Sequence, residues 1–141
     1  MAGLVCDIVT PAAKLLSDDA YMVVVPGVEG EMGFLHGHVP LVSVLADGVV
    51  RIQAENGGEM KRFALQGGYV QVTGQKVIIL ADRAIPAEDV DANQVRETLA
   101  GLEAKLAELT PEEAALTTLA ADISWCGAQL KAVAAYDRNH L

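Results

Sequence analysis

Over residues 1–85 the chain alternates short apolar runs with turn residues. VCDIV (5–9), YMVVVP (21–26), LVSVL (41–45), VVRIQAE (49–55), MKRFAL (60–65), YVQVT (69–73) and KVIILA (76–81) are β-branched or alternating segments of strand length. Asp47-Gly48, Asn56-Gly57-Gly58, Gly67-Gly68 and Gly74-Gln75 punctuate them. Asn-Gly favours the positive φ of a tight hairpin. Many short strands at this spacing predict an all-β sandwich or barrel.

Beyond residue 85 the period lengthens. Val95, Leu99, Leu102, Leu106 and Leu109 are spaced four, three, four, three along one helix face. Leu116, Leu119, Ile123, Cys126, Leu130 and Val133 repeat such a seam on a second helix. Thr110-Pro111-Glu112-Glu113 lies between them and predicts the start of the second helix. Thr110 would be its cap, Pro111 would sit in its first turn, and Glu113 would close a capping box. Asp91 and Gln94 give a similar start signal for the first helix. A link this short predicts antiparallel neighbours. The expected fold class is therefore α+β, an N-terminal antiparallel β-sandwich (1–85) followed by a C-terminal two-helix antiparallel hairpin (86–141). Two helices alone bury little apolar surface, so the hairpin is expected to dock on the β half or on a partner. Gly101 falls in a helix interior, where Gly costs about 1 kcal/mol against Ala; a close helix crossing and plain tolerance both account for it.

Composition sharpens the division. Eleven of the thirteen glycines precede residue 85. The 141 residues are 52% apolar and 21% charged, a globular composition with enough chain for a real core. Ten basic and nineteen acidic side chains leave a net charge of −9, of which the first 85 residues carry −3 and the rest −6. Without clustered Lys and Arg, nucleic acid and anionic membrane surfaces are disfavoured partners. No apolar run is long enough to span a bilayer. The opening MAGLVCDIVTP lacks a basic segment followed by an apolar core, so a secretory signal is not expected, and the cytoplasm is the expected compartment. Cys6 and Cys126 form no CxxC or Cys/His pattern and read as buried free thiols.

Candidate chemistry concentrates in PGVEGEMGFLHGHVP (26–40). His36 and His38 form an HxH, but Val39 to Ser43 supply no Glu ligand and the remaining histidine is the distant His140. A metal site needs three or four placed ligands, so this reading is rejected. Gly27, Gly30 and Gly33 are spaced GxxGxxG, neither a Rossmann nor a Walker pattern, and Glu29 and Glu31 would repel phosphate. These glycines read as positive-φ turn positions. Ser17, Ser43 and Ser124 lie in no nucleophile motif. Nothing points to an enzyme acting alone; a shaped loop that touches another protein remains.

The same stretch has company. IVTP (8–11), VPGVEGEMGFLHGHVPLVSVLADGVVRI (25–52) and LQGGYVQVTGQKVIILADRAI (65–85) resemble the ε subunit of bacterial F-type ATP synthases, in the family's order and spacing. The resemblance implies a non-catalytic rotor part of the central stalk, whose sandwich binds the γ subunit and sits against the c-ring, peripheral to the cytoplasmic face of the bacterial plasma membrane. It implies that the loop 29–40 lies at the ring end, which makes Glu29, Glu31, His36 and His38 candidates for ring contact. For His38 a hydrogen-bonding role in the loop weighs as much as contact. The family's helices either lie on the sandwich or extend along the stalk towards the α and β subunits and block ATP hydrolysis. Some members bind ATP through I/L-D-x-x-R-A at the first helix start. Here Asp91 is retained, but Gln94 and Val95 replace Arg and Ala. Gln offers no cation, so no cofactor is expected and ATP sensing of that kind is disfavoured. Residues 112–141 hold only Lys131 and Arg138 as bases, so any inhibition is expected to be steric. The alternative from another class is a small-molecule binding module with the hairpin as its lid.

Overall fold

The computed structural model describes residues 3–140, with side chains as far as residue 137; Arg138 and His140 therefore lie outside the described side chains. Its strands are β1 (Leu4–Val9), β2 (Lys14–Ala20), β3 (Met22–Gly27), β4 (Gly30–Leu35), β5 (Leu41–Val44), β6 (Gly48–Gln53), β7 (Met60–Gln66), β8 (Tyr69–Val72), β9 (Lys76–Leu80) and β10 (Arg83–Pro86). They form two five-stranded sheets, ordered β2-β1-β9-β8-β5 and β10-β7-β6-β3-β4. Every described pairing is antiparallel except β1 with β9. Alternation along the strands explains the layering. Leu4, Cys6 and Ile8 on β1, Val23 and Val25 on β3, Val50 and Ile52 on β6, and Val77 and Ile79 on β9 are fully or almost fully buried between the sheets. Each such side chain contributes about 1.5–3 kcal/mol by leaving water.

Three strands were not expected from the sequence: β2, β4 and β10. All three are sheet edges. Edge strands carry charges and are half-covered, which erases the alternation that marks a strand. β4 corrects the expectation of one loop over residues 29–40, because Gly30–Leu35 pairs with β3 and buries Phe34 in the core.

The helical half is α1 (Ala92–Ala107), a single turn α2 (Pro111–Ala114) and α3 (Leu119–His140). Asp91 caps α1 as expected, accepting from the Gln94 amide at 3.1 Å. The capping box at Thr110 and Glu113 also forms, but it starts only the four-residue α2. The long second helix begins at Leu119, a correction to the expected start. Thr117 accounts for the break. The Thr117 hydroxyl donates to the Ala114 carbonyl and accepts from the Leu119 amide, replacing helical backbone bonds. Leu116, expected in the seam, is 90% exposed in this link. A Cβ at Gly101 would meet nothing within 4 Å, so the glycine is tolerated and is not required by a close crossing.

The hairpin docks on the sandwich. α1 packs on α3, and α3 packs on β6 and β7. Trp125, Ala128, Ala132 and Tyr136 join Val49, Ala64, Ile85 and Ala87 in a second apolar cluster on the outer face of the second sheet. Their spacing of three, four and four places them on one helix face. The alanines allow the helix to lie close to the strands.

Candidate partner interface

The β3–β4 turn holds Glu29, and β4 carries Glu31. Glu31 pairs with Arg51 on β6 at 3.1 Å, and both side chains keep substantial exposure. At the far end of β4 the chain turns a corner into β5 of the other sheet, and this corner holds His36 and His38. The Gly37 amide donates to the Gly74 carbonyl at 2.6 Å, which ties the corner to the β8–β9 turn. The His38 ring stands edge-on to Phe34, with centroids 4.9 Å apart, and its Nδ1 lies 2.8 Å from the Val39 carbonyl oxygen. His38 thus has a structural part in the corner.

The four candidate residues therefore do not gather at one point. At about 3.3 Å per strand residue, Glu29 and His36 are separated by roughly 20 Å along the open edge of the sandwich. The glycines also divide. Gly30 has φ +131°, while Gly27 is required because a Cβ there would meet the Gly30 carbonyl oxygen at 2.7 Å. Gly33 is an ordinary strand residue, so the expectation of a positive φ at all three is corrected.

The outer face of the first sheet was missed in the sequence reading. Register places Val42, Gln71, Ile78, Asp7 and Ser17 in one row across the five strands, and Val44, Tyr69, Leu80 and Val9 in the next. Val42 is 70% and Tyr69 55% exposed, and Val44 and Leu80 are also open. β5 is inverted relative to an ordinary edge strand, with Ser43 opposite the core residue Val70 and its two valines turned outwards. That inversion was visible in LVSV, because a solvent-facing row is normally polar. A groove between Thr10-Pro11 and Tyr69-Leu80 borders the same patch.

Beside this patch Asp7 is only 3% exposed. Its carboxylate accepts from the Ser17 hydroxyl at 2.7 Å and pairs with Lys76 at 3.0 Å and Lys14 at 3.7 Å. Burial pushes its pKa up, but the Ser17 hydrogen bond and the two lysines outweigh burial and hold it below the usual carboxylate value. Cys6 and Cys126 are free and buried, as expected. Burial, with a smaller push from Asp7, raises the Cys6 thiol to about 12, so it is unreactive at neutral pH.

A cavity of about 400 Å³ lies where α1, α3 and β10 meet, lined by Arg83, Asp89, Asp91, Gln94, Asp122 and Trp125 among others. The degenerate motif residues Asp91, Gln94 and Val95 all line it. Among the described residues no group of three or more His, Cys, Asp or Glu is arranged to hold a metal, and no helix is long and apolar enough to cross a membrane.

Residues 4–87 match the family described as the ATP synthase, Delta/Epsilon chain, beta-sandwich domain. The chain belongs to the ATP synthase delta/epsilon family. The ATP synthase epsilon chain of Granulibacter bethesdensis is 35% identical over 86% of this chain and 93% of its own length. ATP synthase epsilon chain 2 of Ralstonia nicotianae is 42% identical over 69% of each chain. A chain of the Euglena gracilis mitochondrial ATP synthase superposes with a TM-score of 0.69 at 23% identity, covering all of this chain and 83% of that one. A chain from the Tetrahymena thermophila mitochondrial enzyme gives 0.54 at 20% identity over 65% and 72%. Both superpositions show a shared fold, and the first extends over the sandwich and the helices together.

Proposed function

We propose that the chain works as the ε subunit of a bacterial F-type ATP synthase. It is a non-catalytic rotor component of the central stalk, coupling proton passage through the c-ring to nucleotide chemistry on other subunits. The observation that carries this reading is the exposed apolar row Val42, Val44, Tyr69 and Leu80, on a member of the delta/epsilon family whose relatives are named ATP synthase epsilon chain. An uncovered apolar face of this kind marks a protein contact. We assign it to the γ subunit. Glu29, Glu31, His36 and His38, along the adjacent open edge, are assigned to the c-ring side.

Residues 1–85 then form the γ- and ring-binding unit, and residues 86–141 the regulatory hairpin. In the extended state the hairpin would reach the α and β subunits and obstruct hydrolysis. Lys131 is the one base on α3 with a described side chain, which favours a steric obstruction over an electrostatic one. The subunit would sit peripherally at the cytoplasmic face of the plasma membrane, held there by the complex.

Two variants separate the faces. Val42→Asp is expected to lose γ binding in a pull-down while circular dichroism stays unchanged. Glu31→Lys is expected to keep γ binding and lower proton pumping, because an exposed ion pair such as Glu31–Arg51 contributes at most about 1 kcal/mol to folding. Full γ binding by Val42→Asp, or unimpaired pumping with Glu31→Lys, contradicts the corresponding assignment.

A further inference from the structure

ATP is a ligand of some family members at the start of the first helix, and the cavity there permits a test of fit. Among its described lining residues are three carboxylates, Asp89, Asp91 and Asp122, against one cation, Arg83. A triphosphate is held by cations and by free backbone N–H groups. The Arg83 guanidinium is already engaged, with Nη2 3.2 Å from Asp122 Oδ1. The Gln94 amide in the first turn of α1 donates to the Asp91 side chain, so a carboxylate closes that helix terminus. Arg96 is turned to Asn93 Oδ1 at 3.2 Å and is not part of the lining. These residues do not fit a nucleoside triphosphate.

We propose that in this chain protein groups hold the hairpin down where some relatives use a nucleotide: Arg83, Gln66 and Asp47 clamp the start of α3 directly, and docking is independent of ATP. The three contacts converge on residues 121–124. Arg83 on β10 takes Asp122, and Gln66 on β7 donates to the Ala121 carbonyl at 2.8 Å. Asp47, in the turn before β6, accepts from the Ser124 hydroxyl. Both carboxylates are set in place by second contacts. The Gly67 amide donates to Asp47 Oδ1 at 2.9 Å, leaving Oδ2 to meet Ser124. The Thr118 hydroxyl donates to Asp122 Oδ2 at 2.9 Å, leaving Oδ1 to meet Arg83.

A ligand shifts a two-state element only by preferring one state. A triphosphate in this cavity would compete with Asp122 for Arg83 and face Asp89 and Asp91, so it gives docking no support. This inference rests on the hairpin being the movable element of the delta/epsilon family, and the test separates the two claims.

Trp125 is the single tryptophan and packs in the docking cluster, so its emission reports docking. Titration of the full chain with Mg-ATP to millimolar concentration is expected to give no saturable heat in calorimetry and no emission shift. Arg83→Ala is expected to shift emission to the red and to speed amide exchange over residues 121–136 about two- to fivefold. Ser124→Ala, which leaves the strands untouched, is expected to do the same and carries the test if Arg83→Ala fails to fold. Saturable ATP binding with a blue shift overturns the proposal, and so does unchanged exchange in both variants. If hairpin amides of the wild-type chain exchange only through global unfolding, both alone and in the assembled complex, the movable-element reading falls instead.

Discussion

Asp7 shows how one residue ties three strands together on the outer face of the first sheet. It sits on β1, takes a hydrogen bond from Ser17 on β2 and pairs with Lys76 on β9. Its lysine partners stay about half exposed, so their desolvation cost is small and the charge-assisted bonds are left as a net gain. Asp7→Asn is expected to destabilise the chain by about 2 kcal/mol, seen as a lower thermal midpoint. The pH dependence has a fixed sign. A folded-state pKa below the ordinary carboxylate value of about 3.9 stabilises the fold above that value, and this stability is lost as pH falls through the folded pKa. Acid titration of stability should therefore fall more steeply below about pH 4 in the wild type than in Asp7→Asn; parallel curves would show that Asp7 does not carry this effect.

At the scale of elements, the central strands were legible because both neighbours cover them and their apolar residues alternate cleanly. The edges were not. KLLSDDA (14–20) has only Ala20 buried, and GEMGFL (30–35) is broken by the glycines that read as a loop. The helix seam from Val95 to Leu106 was legible, whereas the second face of α3 was not, since Ala128 and Ala132 carry no strong apolar signal although they meet the sheet. Thr110 and Glu113 gave a true capping box, but the capped turn stops before Thr117, whose hydroxyl competes with the helix for backbone groups. In the candidate interface, composition and the family resemblance singled out Glu29, Glu31, His36 and His38 as candidates, while their separation along β4 needed the strand that the glycines concealed. Ala132 on α3 is fully buried against the second sheet, so Ala132→Leu should overpack the docking face by about 1–3 kcal/mol. The expected result is a red-shifted Trp125 and earlier melting of the helices with the sandwich transition unchanged; a single unshifted transition would contradict the docking geometry.

Across the whole molecule, the two sheets have different tasks. The second sheet turns its outer face to α3, through Val49, Ala64 and Ile85. The first leaves Val42, Val44, Tyr69 and Leu80 open, and the edge carrying Glu29 and Glu31 runs beside it. With the hairpin folded on one face, the other face and the edge carrying Glu29 and Glu31 stay uncovered. The arrangement suits a subunit that serves chemistry performed by other subunits. The most direct measurement adds the purified chain to an ATP synthase complex stripped of its ε subunit and follows ATP-driven proton pumping in vesicles. The chain is expected to bind and restore pumping. A folded chain that fails to bind, or pumping that is the same with and without it, would contradict its role as the coupling subunit of the rotor.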